Sequence, residues 1–240
     1  MVVGDFEVNA LLDAEGSFMT YTEAFPEGRF EDWAPWPELV DGDRWTLPLR
    51  AYLIQGAGRT ILVDTGVGPS GGGEFLPERQ GWLPGELDRL GATPDTVFLT
   101  HVHVDHIGWN HLFEDVQFIA HSESIALSEE RGRPLPGAVA VTGETELAPG
   151  VVAFETPGHL PGHMSVQIGD ELVVLGDVAV HPAQLARPDL VYVFDADPER
   201  SATTRGHVLS AYGDRVLACG HFPGSGFGRI VDGVWAPLSL

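Results

Sequence analysis

Apolar positions along the 240-residue chain fall into short blocks separated by Gly, Pro and acidic residues. Residues 50–66, RAYLIQGAGRTILVDTG, read as a β-hairpin: two β-rich runs, 51–55 and 60–64, flank a Gly-Ala-Gly turn. GWLPGELDRLGATPD (81–95) predicts a short helix from Pro84, stopped by Gly91. TVFLT (96–100) is continuously apolar, as a strand buried on both faces must be. VQFIA (116–120) predicts another strand, with a helix near 122–131. Further strands are predicted at 151–156, 164–170, 172–177 and 215–221, a helix at 198–213, and a last strand or hairpin at 228–238. Strands with helices inserted between them describe a layered α/β or α+β domain. Residues 18–45 break the pattern. They are aromatic and Pro-bearing, and predict an irregular loop lying over the domain. No repeat or linker divides the chain, so one domain is expected over 1–240.

Composition narrows the partners. The 13 basic residues, all Arg, face 35 acidic ones, for a net charge of −22. Nucleic acid and anionic membranes would repel such a surface. No apolar run approaches the ~20 residues of a membrane span. The opening stretch lacks a basic start before an apolar run, and Cys219 stands alone, which together predict a cytoplasmic protein without disulfides.

The chemistry sits where apolar strands end. TVFLT runs into His101, His103, Asp105 and His106; VVAFETPGHLPGH into His159 and His163; LVVLGD into Asp177; RVLACGH into His221. Sites in open sheets gather beyond the carboxyl ends of strands. In extended chain His101 and His103 point the same way, so they can share one ion, while Asp105 and His106 face a second as the chain turns, with a helix expected from near Ile107. Imidazole with carboxylate and no thiolate suits zinc or a related first-row ion at a catalytic site. Six ligands on one ion would leave it enclosed. Divided between two ions with a shared carboxylate, they leave room for water.

These residues resemble the metallo-β-lactamase superfamily: His101-x-His103-x-Asp105-His106, TPGHLPGH (156–163), Gly-Asp at 176–177, Gly-His at 220–221 and VDTG (63–66) occur in family order. The resemblance implies an α+β fold, a four-layer αββα sandwich. It implies one metal held by His101, His103 and His163, a second held by Asp105, His106 and His221, and Asp177 bridging them. His159 would then be a turn residue, Asp64 would orient a ligand imidazole, and Gly66 would permit close backbone approach. The implied cofactor is a pair of divalent ions: zinc first, with iron, manganese and cobalt also fitting. The implied reaction is hydrolysis of an ester or lactone, with a metal-bridging hydroxide as nucleophile and Asp105 carrying its proton. Phosphotriester hydrolysis at the same site is the alternative, and a catalytically silent metal-binding protein a third reading.

Within the family the chain looks most like the lactonase and organophosphate-hydrolase branch. Lactonases of that branch carry a Tyr three residues after the bridging Asp, where this chain has Val180. Phe25, Trp33, Trp36 and Phe222 are the expected contacts to a small-molecule substrate; the aromatic segment also offers a homodimer surface, and simple packing of the loop onto the domain is an equal alternative. Trp109 and Cys219 are expected in the core. His111, His121, His181 and His207 have no motif partner.

Overall fold

The computed structural model describes residues 1–72 and 80–239. The chain opens with β1 (Val2–Val3) and the long β2 (Phe6–Thr20), passes through the single-turn helices α1 (Tyr21–Ala24) and α2 (Phe30–Trp33) and the short β3 (Val40–Asp41), and returns along β4 (Arg44–Gly56). Then come β5 (Arg59–Val63), α3 (Leu83–Leu90), β6 (Thr96–Leu99), β7 (Gln117–His121), α4 (Ser122–Glu130) and β8 (Val139–Val141). The second half holds β9 (Thr145–Ala148), β10 (Val151–Glu155), β11 (Met164–Ile168), β12 (Leu172–Val174), α5 (Ala183–Ala186), α6 (Pro198–Tyr212), β13 (Val216–Ala218), β14 (Phe227–Val231) and β15 (Val234–Pro237).

Each half makes one sheet. The first runs β1-β2-β4-β5-β6-β7-β8 with β3 on β4, antiparallel as far as β5 and parallel from β5 to β8. The second runs β15-β14-β13-β12-β11-β10-β9, with β12 and β13 its parallel pair. Period-two alternation decides what each sheet buries on which side. Tyr52 and Ile54 of β4 and Phe98 of β6 face Val166, Leu172, Val174 and Val216 across the inter-sheet core. Their neighbours Ala51, Leu53, Val97 and Leu99 point outward, under Leu83 and Leu87 of α3. In the second sheet Val173 and Leu217 face outward toward Val208 of α6. The result is the four-layer αββα sandwich, with both faces of each sheet apolar.

The predicted hairpin forms around a turn with Ala57 and Gly58 at φ +49° and +73°. Gly91 ends α3 at φ +60°, and 227–237 forms a hairpin. Two expectations change. The chain after His106 makes only a 3-10 turn at Asn110–Leu112, not a helix from Ile107. Residues 18–45 are not one irregular loop: they carry α1, α2 and β3, and Tyr21, Phe25, Trp33, Trp36 and Trp45 are buried together in one cluster. Among the described residues, no helix is long and apolar enough to cross a membrane.

Candidate metal centre

Every site side chain lies just past the carboxyl end of a strand: Asp64 after β5, 101–106 after β6, His159 and His163 after β10, Asp177 after β12 and His221 after β13. The parallel pairs β5–β6 and β12–β13 bring these ends to one edge of the sandwich.

Two donor clusters form there. The nitrogens or oxygens of His101, His103, His159 and Asp177 all lie within 4.8 Å of one another, as do those of Asp105, His106 and His221. Asp177 joins them. Its Oδ2 is 3.3 Å from His159 Nε2 and 3.7 Å from His101 Nε2, while its Oδ1 is 3.4 Å from His106 Nε2 and 3.2 Å from His221 Nε2. Asp105 Oδ2 lies 3.7 Å from His106 Nε2 and 3.6 Å from His221 Nε2.

The first-cluster assignment needs correction. His163, expected as a ligand, has both ring nitrogens engaged elsewhere: Nε2 accepts the Asp177 backbone N–H at 2.9 Å, and Nδ1 meets the Thr156 carbonyl at 3.0 Å. His159, expected as a turn residue, instead projects Nε2 to within 3.0 Å of His103 Nδ1. The loop 156–163 decides between them, because it turns His159 toward Asp177 and tucks His163 beneath it.

The outer ring nitrogens are held one by one. His159 Nδ1 meets Asp195 at 2.9 Å, His106 Nδ1 meets Asp64 at 2.7 Å, and His221 Nδ1 meets the Pro48 carbonyl at 2.9 Å. His101 Nδ1 contacts Thr100 Oγ1, which donates to Asp64. Such outer partners set the tautomer so that Nε2 offers its lone pair inward. Asp64 reaches both His106 and Thr100 from a left-handed backbone, φ +64°, a strained conformation for a non-Gly residue. Gly66 has no room for a side chain: a Cβ there would meet Asp13 Oδ2 at 2.2 Å.

Electrostatics favour cations here. Burial opposes the charged form of Asp177, yet the surrounding histidines, His221 and His106 first, hold its carboxyl well below the usual range. Burial likewise opposes protonated His159, but Asp177 and Asp195 hold it up at about 9. His106 and His221 are raised in the same way by Asp177 and its neighbours. Burial and the neighbouring His159 push His103 down to about 2. Asp64, Asp105 and Asp177 have no arginine partner among the described residues, and the buried His106 Nε2 has no hydrogen-bond partner. An orphaned imidazole nitrogen among carboxylates that no arginine neutralises is a donor set fitted to two divalent ions.

Sequence reasoning also missed the clamps. The guanidinium of buried Arg50 donates to the carbonyls of Gly220, Phe222 and Gly224, fixing the loop that carries His221. That of buried Arg205 donates to Val178 O at 2.7 Å and faces Asp195 Oδ2 at 3.4 Å, tying the Asp177 loop to the His159 partner. The available signals, one charged residue within the apolar run of β4 and one in the polar pattern of α6, are weak.

The expected substrate contacts are relocated. Phe222 is sealed, edge-on to Trp235 at 4.9 Å, and Phe25 is sealed against Trp45, so neither can touch a substrate in this structure. Trp33 stacks on Tyr21 at 4.5 Å and Trp36 stands edge-on to His181 at 5.6 Å, both nearly buried. His181 is the hub of this aromatic block; burial alone pushes its imidazole down to about 3, so it packs there neutral. An exposed aromatic does lie near the metal cluster: Phe194, 42% exposed, is 6.5 Å from the His103 ring. Trp109 packs in the core and donates to Asp13, and Cys219 is buried.

Comparisons with known proteins agree with this fold. The chain is 29% identical over 157 residues to an N-acyl homoserine lactonase of Bacillus cereus, a match covering 55% of this chain and only 63% of that protein's length. Its fold superposes on AidC, a dizinc quorum-quenching lactonase solved with the product N-hexanoyl-L-homoserine, at TM-score 0.84 and 18% identity, covering 100% of this chain and 97% of that one. A probable metal-dependent hydrolase from Staphylococcus aureus superposes at TM-score 0.84 and 17% identity, covering 100% and 99%. Residues 47–221, from β4 to the last histidine of the centre, match the metallo-beta-lactamase superfamily, and the chain belongs to that superfamily.

Proposed function

We propose that this protein is a dinuclear zinc hydrolase acting on the carbonyl of a small lactone or ester. The observation that carries the reading is the division of Asp177 between two donor clusters, one oxygen to each. Support comes from the lactonase relative, whose substrate class is the first to try.

Bound at these clusters, a pair of divalent ions supplies Lewis-acid polarisation and a water made acidic enough to attack near neutral pH. The residues do the rest. His101, His103, His159 and Asp177 would hold the first ion; Asp105, His106, His221 and Asp177 would hold the second. Asp64, Asp195 and the Pro48 carbonyl keep the imidazoles from rotating. Asp105 presents Oδ2 to His106 and His221, leaving Oδ1 to take the proton of the attacking water and return it to the leaving alkoxide. Val180, three residues after Asp177, is apolar and buried in the core.

A substrate panel tests the proposal: γ- and δ-lactones, including N-acyl homoserine lactones, with aryl esters and aryl phosphotriesters, each with and without chelator. Lactone or ester turnover that chelator abolishes and zinc restores is expected. Turnover confined to phosphotriesters would select the alternative chemistry, and turnover indifferent to chelator would overturn the metal reading.

A further inference from the structure

The metal centre is closed on most sides. Of its donors only His103 is partly exposed, so a substrate must arrive beside it. The next residue, Val104, lines a cavity of about 790 Å³, room enough for a small organic molecule. Buried Val67, Ile107 and Phe118 and half-buried Leu135 give it apolar walls, and Arg133, in the connection from α4 to β8, gives it a cation. The backbone of Arg133 is fixed: its N–H donates to Ser128 O at 2.9 Å, and its carbonyl accepts from the buried Ser128 hydroxyl. α4 in turn is anchored to the loop that carries His159, because Ser124 Oγ meets the carbonyls of Pro161 and Gly162 at 3.3 and 3.0 Å. The Arg133 guanidinium, by contrast, makes no hydrogen bond or ion pair among the described residues. Arg59, Arg89, Arg187 and Arg205 each face a carboxylate, and Arg50 holds backbone carbonyls. Glu114 lines the same cavity without pairing with Arg133. In a chain with 13 basic residues against 35 acidic ones, a cation left unmatched in a cavity is placed for a ligand.

We propose that this cavity seats the acyl arm of the substrate and that Arg133 selects an arm ending in a single carboxylate. This rests on the hydrolase reading above and names its substrate class: lactones or esters whose acyl chain carries an acid at the far end. The apolar walls take the methylenes between the two ends. The planar guanidinium matches a carboxylate through two parallel N–H donors. Glu114 in the same cavity disfavours a dianion such as a phosphate. At a net charge of −22 the protein repels anions from a distance. Recognising an anionic arm therefore requires a local cation, and Arg133 is that group.

Paired substrates test it: the aryl monoesters of adipic and suberic acid against the same esters with the far carboxyl methylated. In the zinc-loaded protein, kcat/KM for at least one free acid should exceed that for its methyl ester by roughly fivefold, chiefly through KM. The preference should shrink in high salt and vanish or invert in Arg133→Gln. A parent that favours the methylated esters, or a preference that survives in Arg133→Gln, would overturn the proposal. Binding is measured separately, by calorimetry with the monoanilide of suberic acid, whose amide resists hydrolysis. Its affinity should weaken both in Arg133→Gln and in Leu135→Trp, which fills the cavity, with Tm confirming that each variant is folded. No binding by the parent, or equal affinity in all three proteins, would also overturn the proposal. If the parent turned over no ester, the hydrolase reading would fail, and the anilide would still decide whether Arg133 and the cavity hold an acid-ended arm.

Discussion

Asp195→Asn isolates the support behind one metal ligand. Asp195 Oδ1 takes the Nδ1–H of His159 at 2.9 Å, while His159 Nε2 points at Asp177 from 3.3 Å. Asparagine keeps the shape and one acceptor but removes the charge that makes the imidazole a stronger donor. Loss of such a partner costs roughly tenfold to a hundredfold in metal affinity, or about 1.4–2.8 kcal/mol. Arg205 also loses its carboxylate, but keeps the carbonyls of Val178 and Pro188, so folding should weaken by only about 1–2 kcal/mol. The assay is zinc competition against a chromophoric chelator, resolving two binding steps. Only one step should weaken, because His159 belongs to one cluster alone. Two unchanged steps, or two that weaken equally, would refute the assignment of His159 and its partner.

Other outcomes follow from the same geometry. His159→Ala should lose one of two zinc ions by elemental analysis, whereas His163→Gln should keep both and lose only stability; the reverse result would restore His163 as the ligand. Asp105→Asn should lower kcat by roughly a hundredfold or more with Tm little changed, and near-normal turnover would remove Asp105 from proton transfer. In the metal-free protein, His159 is raised to about 9 from 6.5, so its protonated form stabilises the fold fully below pH 6.5 and that contribution is lost as pH rises through about 9. The Tm of chelated protein should therefore fall between pH 7 and 10 while zinc affinity rises as the competing proton leaves; zinc affinity flat across that range would contradict this. Asp13 accepts from the N–H groups of Val67, Leu83 and Trp109 at 2.6, 2.7 and 2.9 Å. Asp13→Ala should cost about 3 kcal/mol or more in denaturant unfolding by stranding three buried donors, and a loss below about 1 kcal/mol would show that water replaces the carboxylate.

Much of the centre was legible in the chain because local rules produce it. Continuous apolar runs become strands buried on both faces, and ligand residues placed directly after such runs arrive at one sheet edge whatever the loops do. Thus His101, His103, Asp105, His106, Asp177 and His221, and the bridging place of Asp177, could be read from pattern, spacing and family resemblance. The choice between His159 and His163 could not. Both follow β10 within eight residues, and the turn of loop 156–163, with Asp195 arriving from 36 residues away, decides which imidazole faces the ions. The aromatic stretch 18–45 failed for a similar reason. Its lack of periodicity suggested an irregular loop lying over the domain, whereas Tyr21, Phe25, Trp36 and Trp45 bury themselves around His181, a residue distant in sequence. Side-chain type and strand periodicity are local properties, so the sequence alone determined the layers and most of the donor set. Which imidazole turns inward, and which aromatics are sealed, depends on contacts between distant segments, and only the tertiary structure decided them.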